Sequence, residues 1–372
     1  KGQTQYGVLN RFIDDIADAY RARGVKVHVL QLTEEIEKSR ADLTRSLAGE
    51  RPLFALGMNG AGLFQSDDKS FYDAAELLYV CWLMDHPIYH LPRIESAPKK
   101  FGVVATVDQE HELFLQAAFA QKPNSAFLPH GGCFARDNSE CERDLDIVFF
   151  GTGTSAKKIE QLTRAIPDLH RQAFEMALDQ IKQTPDESLM NIVTETFSRN
   201  GLEPDRSCFL EIMKHLENYR RSSERFNVLK ELDDAGLSVD IFGNGWQDAD
   251  FKHHRIHSGV DFDESLNLFK RAKTALNVSH FFTHGAHDRI FSAMLNGAVP
   301  ITNSSEYLVE QKGFCDLAVT YGEEGSLVDS VKTLLSAPDS IRERAAGGKG
   351  FVLDGHTFGH RANLLMDAVL DT

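Results

Sequence analysis

The sequence predicts an α/β protein made of two doubly wound, Rossmann-like domains. Three observations carry this. The chain has 372 residues, a length that suits two domains. Short apolar runs alternate with amphipathic helical patterns, first over the N-terminal part and again from about Phe226. Several of those runs end directly in glycine-containing turns, where parallel sheets of this kind hold ligands.

The first domain is expected over residues 1–143. Leu9, Phe12, Ile13, Ile16 and Tyr20 fall on one helix face, and Gly24 stops that helix. Val25, Val27 and Val29 then alternate as a strand. Phe54 to Gly57 forms the next strand and opens into a turn at Met58-Asn59-Gly60. Ala74 to Leu78 reads as a helix, Tyr79 to Leu83 and Phe101 to Thr106 as strands. A helix from about His111 to Ala120 and a short strand Ala126 to Leu128 complete it.

The second domain is expected over 144–355, starting with the strand Leu145 to Phe150. A helical insertion over about 156–225 follows, with apolar stripes such as Ile159, Leu162 and Ile166, or Phe209, Ile212 and Leu216. Strands are then expected at Val239 to Phe242, Thr274 to Val278, Ala298 to Thr302 and Leu317 to Thr320. Helices are expected at Ser265 to Ala272, Ser326 to Leu335 and Ser340 to Ala346, and last at Arg361 to Val369.

A formal net charge of −15 argues against a general binder of nucleic acid or anionic membrane. No apolar run is long enough to span a bilayer and no signal peptide is visible, so a cytoplasmic location is expected. The first residues are polar, lack an initiator Met and read as a loop, which leaves room for a preceding first strand. The five cysteines form no Cys-x-x-Cys pair and are expected to be reduced thiols. No metal site is expected. Asp144 and Asp146 enter a strand rather than follow one, and His253, His254 and His257 read as surface residues. No Ser-His-Asp or P-loop pattern is present.

The candidate chemistry lies at strand and helix ends. A short helix begins beside His287, Asp288 and Arg289, which places a guanidinium at a positive helix end suited to a phosphate, or simply caps an ordinary helix. Gly243-Asn244-Gly245 lets backbone amides approach a phosphate, and Trp246 either stacks on a base or sugar or packs inside. Gly151-Thr152-Gly153 stands at another strand exit; Asn277, Ser279 and His280 stand at a third. In the first domain Asp85 or His86 is a candidate general base; the alternative is a turn cap and a packed ring.

The segment from His284 to Thr302 resembles the donor-binding segment of GT-B glycosyltransferases. It is most similar to the spore-maturation-protein-like (CgeB-type), glycosyltransferase family 1-like group. Trp82 to Pro87, Phe127 to Gly132, Asp146 to Gly151 and Asp240 to Trp246 resemble the same group in the same order. The resemblance implies a GT-B fold with two domains facing a cleft and a C-terminal helix, within 356–372, crossing back to the first domain. It implies metal-independent transfer of a sugar, a hexose by expectation, from a nucleotide-diphosphate sugar, with no cofactor. The acceptor would be a saccharide, a lipid-linked glycan or a protein. Donor contacts would come from Gly151, Thr152, Gly243, Asn244, Gly245, Trp246, His284, His287, Asp288, Arg289 and Glu306. Acceptor-side contacts would come from Gln3, Tyr6, Asn59 and His130, with Asp85 or His86 as base. The chain departs from the retaining pattern, which has two Glu eight positions apart: His284 and Ser292 stand there, and Glu306 is the possible substitute. A nucleotide-sugar epimerase or hydrolase on the same fold, or a non-catalytic nucleotide-sugar-binding module, are the competing readings.

Overall fold

The computed structural model describes residues 5–370 except 34, 48, 50, 67–68, 138, 140, 165, 167, 185–186, 281 and 323–325. The chain divides into two units, one of residues 1–131 with 356–372 and one of 132–355.

The first unit holds a parallel sheet of β1 (Phe54–Met58), β4 (Leu78–Trp82), β5 (Gly102–Thr106) and β6 (Ser125–Phe127), in the order β1-β4-β5-β6. Between β1 and β4 lies a two-residue antiparallel hairpin, β2 (Gln65–Ser66) with β3 (Lys69–Ser70). Val80 registers against Leu56 on one side and Val103 on the other, so β4 is covered along both edges. Its side chains are correspondingly buried, and Trp82 Nε1 donates to the Leu128 carbonyl at 3.0 Å. The first helix, Val8–Arg21, buries Phe12, Ile16, Ala17 and Tyr20 at helical spacing. The C-terminal helix Phe358–Leu370 packs against it: Tyr20 Oη donates to the Ala362 carbonyl at 2.7 Å, and the Phe12 and Phe358 rings lie 4.4 Å apart.

Two expectations fail here. Val25, Val27 and Val29 alternate as a strand should, yet residues 25–33 form no strand, because among the described residues none pairs with them. The helix placed at Ala74 to Leu78 is a single turn, Phe71–Ala74, whose start is capped by Ser70 Oγ accepting from Tyr72 N at 3.2 Å.

The second unit holds six parallel strands: β7 (Leu145–Phe150), β8 (Asp240–Phe242), β9 (Arg255–His257), β10 (Ala272–Asn277), β11 (Val299–Asn303) and β12 (Val319–Tyr321). Their order is β12-β11-β10-β7-β8-β9, so the strand that comes first in the chain is central. Helices Ala156–Arg164, Asp168–Gln183, Leu189–Arg199 and Arg206–Asp234 intervene between β7 and β8. The last runs past 225 because Leu229 and Leu232 continue its apolar face into the core with Ile147, Phe149 and Ile241. The helix Pro338–Gly355 likewise runs past Ala346 through Gly348, where a side chain would crowd Met294. Residues 132–143, expected with the first domain, group with the second unit. Asn296 ties them there: its Oδ1 accepts from Ala135 N at 2.8 Å and its Nδ2 donates to the Cys133 carbonyl at 3.0 Å.

Candidate functional site

In the second unit the exits of β7 and β8 interlock. Gly151 N donates to the Phe242 carbonyl at 3.1 Å and Gly153 N to the Asn244 carbonyl at 2.9 Å. A side chain on Gly243 would collide with the Gly151 carbonyl, and one on Gly245 with that of Gly153. Gly245 also has φ 91°, which an L side chain resists. The two turns therefore hold each other at backbone contact.

Two guanidiniums flank this knot. Arg289, at the start of the helix Asp288–Leu295, donates from Nη1 to the Phe150 carbonyl at 2.6 Å. Arg225, on the helix Arg206–Asp234, donates from Nη1 to the Thr152 carbonyl at 3.1 Å. The Arg225 Nε is buried and makes no hydrogen bond among the described residues. Burial, and then the positive charges of Arg289 and Arg221, lower the Arg225 pKa to about 9. Glu217 and Glu224 offset this in part. Like charges held together at a helix start and two glycine turns make a site for a polyanion.

His287 orients Arg289. Its Nε2 lies 2.9 Å from Arg289 Nη2, which can only donate, so Nε2 accepts. Its Nδ1 lies 2.7 Å from Asp288 Oδ1 and therefore carries the proton. That tautomer takes precedence over the longer 3.3 Å approach of the Arg289 amide to Nδ1. Burial and the Arg289 charge lower the His287 pKa, consistent with a neutral ring. Buried Asp288 thus fixes the ring, and the ring fixes the guanidinium. His280 is also buried and its pKa is driven well down, by burial and then by Arg225. Its Nε2 lies 3.3 Å from buried Glu217. His284 and Glu306 meet as well, Nε2 to Oε2 at 2.9 Å, at the surface of this unit.

Two readings in this unit are corrected. Trp246 offers no face for stacking: it is 0% exposed, packs with Phe149 and Ile241, and donates from Nε1 to the Gly151 carbonyl at 2.8 Å. Its ring fills the space beside Gly153, where even a methyl group would collide with it. Asn277 and Ser279 are buried latches between strand ends; Asn277 Nδ2 donates to Ser279 Oγ at 2.6 Å and Thr302 Oγ1 at 3.0 Å. Ser292, which stands where the retaining pattern has a Glu, is buried and its Oγ accepts from Cys133 N at 3.1 Å.

In the first unit the exits of β1, β4, β5 and β6 gather imidazoles and carboxylates. Asn59 has φ 51°, uncommon for a non-glycine, and bridges two exits: Oδ1 accepts from Met84 N at 2.8 Å and Nδ2 donates to Asp85 Oδ2 at 3.3 Å. Asp85 keeps 57% of its side-chain surface and lies 3.8 Å from His90 Nε2. His86, by contrast, is a buried cap. Its Nδ1 accepts from Ile88 N at 3.1 Å and its ring packs edge-on to His111 and Phe114. Burial, and then His90, lower its pKa to about 3, too low for a base working near neutrality. His130 is buried against Phe12, and its carbonyl accepts from Arg361 Nε at 2.9 Å. Its ring is a packing element, not an exposed acceptor contact. Tyr6 stands in the turn before the first helix with φ 59°. Gln3 lies outside the described residues.

Residues 220–367 match the family model described as glycosyl transferase-like. The match covers less than half of the chain. It contains Arg225, Gly243 to Trp246 and Arg289 together. A search of curated proteins gives no match. Among solved structures, the chain is similar to Anabaena Alr3699/HepE in complex with UDP and glucose. Identity there is 11%, 100% of this chain and 98% of that one are covered, and the TM-score is 0.50. It is also similar to WaaG, a glycosyltransferase involved in lipopolysaccharide biosynthesis, at 10% identity, 99% and 97% coverage and a TM-score of 0.48. Sucrose-phosphate synthase from Thermosynechococcus elongatus follows at 12% identity, 96% and 92% coverage and 0.47. The fold is GT-B in kind, two Rossmann-like α/β units, and the family segment gives the enzyme class, glycosyltransferase. No helix among the described residues is long and apolar enough to cross a membrane.

Sequence reasoning missed Arg225. It sits in a stretch whose periodicity announces only a packed helix, and nothing in the pattern shows that this turn of the helix passes the β7 exit.

Proposed function

We propose that this protein transfers a sugar from a nucleotide-diphosphate sugar to an acceptor hydroxyl without a metal ion, in the cytoplasm. Five segments of the sequence resemble the spore-maturation-protein-like group, which supports that finer reading. The observation that carries the reading is the pair Arg289 and Arg225 on the Phe150 and Thr152 carbonyls of the β7 exit, where burial, and then the crowding of like charge, lowers the Arg225 pKa. A diphosphate would relieve that crowding. As it leaves, the growing negative charge would be held by two fixed cations and by glycine-turn amides, the work a divalent ion does elsewhere. His287 and Asp288 pre-set the Arg289 fork. Glu306 with His284 is placed to take sugar or ribose hydroxyls. On the acceptor side the base is Asp85, the exposed carboxylate, held by Asn59 and lying 3.8 Å from His90 Nε2. The acceptor is a saccharide, a lipid-linked glycan or a protein.

Calorimetric titration with nucleoside diphosphates tests this, starting with UDP, the nucleotide held by the HepE structure of like fold. Arg225→Ala and Arg289→Ala should each weaken binding by about 10- to 100-fold, the loss of one charge-assisted contact. Equal binding by the double variant would remove the diphosphate from this site. Incubation with nucleotide sugar alone separates the chemistries: epimerised or hydrolysed product without acceptor favours the competing enzymes, and tight binding with no turnover against any acceptor favours a binding module.

A further inference from the structure

Four residues of the first unit close into a ring around the β4 exit. Arg93, on the short helix Leu91–Glu95, donates from Nη1 to the Asn59 carbonyl at 2.8 Å, and the same nitrogen lies 3.2 Å from His90 Nδ1. A guanidinium can only donate, so His90 Nδ1 accepts and the proton of the ring is on Nε2. His90 is buried, and its Nε2 makes no hydrogen bond among the described residues. Asp85 Oδ2 stands 3.8 Å from it. Asn59 Nδ2 addresses that same oxygen at 3.3 Å. Asn59 is pinned in turn, by Arg93 on its carbonyl and by Met84 N, which donates to its Oδ1 at 2.8 Å.

We propose that His90 is the positioning residue of the Asp85 base: its buried Nε2–H, fixed by Arg93, receives Oδ2 and turns Oδ1 toward the acceptor hydroxyl. The inference rests on the sugar-transfer reading with Asp85 as its base. A buried N–H that lacks an acceptor costs free energy, and closing the 3.8 Å gap to an ordinary ~2.9 Å removes that cost. Asp85 has the freedom to make the move, since 57% of its side chain is exposed; the His90 ring is held on both sides. Two donors on one oxygen then stabilise the anion and leave Oδ1 as the oxygen that takes the proton. The tautomer sets where that proton goes next. Nε2 already carries one, so His90 accepts none; the proton passes from the acceptor hydroxyl to Oδ1 and then to water at the exposed carboxyl. His90 is therefore no relay. The charged and titratable groups that face its ring are Asp85 and His86 from the β4 exit, Arg93 from its own helix and His111 from the helix Glu110–Ala118. Burial, before any other cause, lowers the pKa values of His86 and His111, so of these four only Asp85 and Arg93 are charged near neutrality.

The test compares the unaltered chain with His90→Phe, which keeps a ring and deletes both nitrogens, and His90→Gln, whose amide can donate from the place of Nε2. His90→Phe should lower kcat by ~10- to 100-fold, the loss of one hydrogen bond to a charged group. It should also move the acid limb of the kcat–pH profile up by ~1 pH unit, since a carboxylate without that donor binds its proton more tightly. KM for the nucleotide sugar should stay the same. His90→Gln should recover most of the rate and the original limb, which a purely structural role for the ring would not produce. A second readout needs no turnover: the Asp85 carboxyl carbon, followed by ¹³C NMR and assigned with Asp85→Asn, should titrate ~1 pH unit higher in His90→Phe. Should His90→Phe fold poorly, ¹⁵N spectra of the imidazoles in the unaltered chain carry the test, and the ring that vanishes in His90→Gln should hold its proton on Nε2. Equal acid limbs and equal carboxyl titrations with and without the His90 ring overturn the inference, and so does a proton on Nδ1. No turnover by the unaltered chain would instead end the sugar-transfer reading, and the carboxyl titration would still decide whether His90 supports Asp85.

Discussion

The two units put opposite chemistry at equivalent places. At the strand exits of the second unit, Arg225 and Arg289 share the β7 exit, and His280 and His287 nearby have their pKa values lowered, first by burial. At the exits of the first unit, buried imidazoles surround a single exposed carboxylate, Asp85. On the proposed reading, the same sheet architecture carries a polyanion site in one case and a base site in the other, and loop side chains rather than strands make the difference.

The sharpest way to break this contrast is Asp85→Asn. If the first unit supplies the base, turnover falls by ~10²–10⁴-fold while nucleotide affinity stays unchanged. Steady-state kinetics beside calorimetry reads both; unchanged turnover would move the base elsewhere. Next comes Trp246→Ala in the second unit. Removing a fully buried indole from the core under the glycine turns should cost about 3–5 kcal/mol in urea unfolding. A loss near zero would mean the knot does not depend on it.

A third experiment uses pH. His86 has a pKa of about 3 in the folded chain, from burial and then from His90, against ~6.5 unfolded. As pH falls below ~6.5 the unfolded chain takes up the proton first, so the stability given by the neutral ring is complete above that point and is lost toward pH ~3. Between pH 7 and 5 the loss from this one ring is on the order of 2 kcal/mol. His86→Asn keeps a capping acceptor and should flatten the urea-stability profile over that interval, with the neighbouring His111 supplying what slope remains. The smallest effect belongs to Glu306→Ala. The His284–Glu306 pair is exposed, so stability should change by less than ~1 kcal/mol, and only donor binding should respond.

Much of this was legible in the sequence. Glycine pairs after apolar runs marked the strand exits, because close backbone approach admits no other residue; Gly243 and Gly245 both stand where a side chain would strike a carbonyl. The Arg289 helix start was legible for the same reason, as a local pattern. Roles set by tertiary contact were not. Trp246 reads alike whether it stacks on a base or packs under Gly153. His86 and Asp85 are adjacent and look equivalent until one ring turns inward beside Phe114. Arg225 is invisible because its partner, the Thr152 carbonyl, lies 73 residues away along the chain. The strand expected at Val25 to Val29 failed for the opposite reason: its local pattern is right, but no strand among the described residues pairs with it.

The sequence contains two tryptophans, and the fold assigns one to each unit, Trp82 beside the Leu128 carbonyl and Trp246 beside that of Gly151. Each indole is fully shielded from water. Replacing either with phenylalanine leaves a single intrinsic fluorophore, so emission from one lobe at a time can follow its melting, or its response to nucleotide, with no label attached.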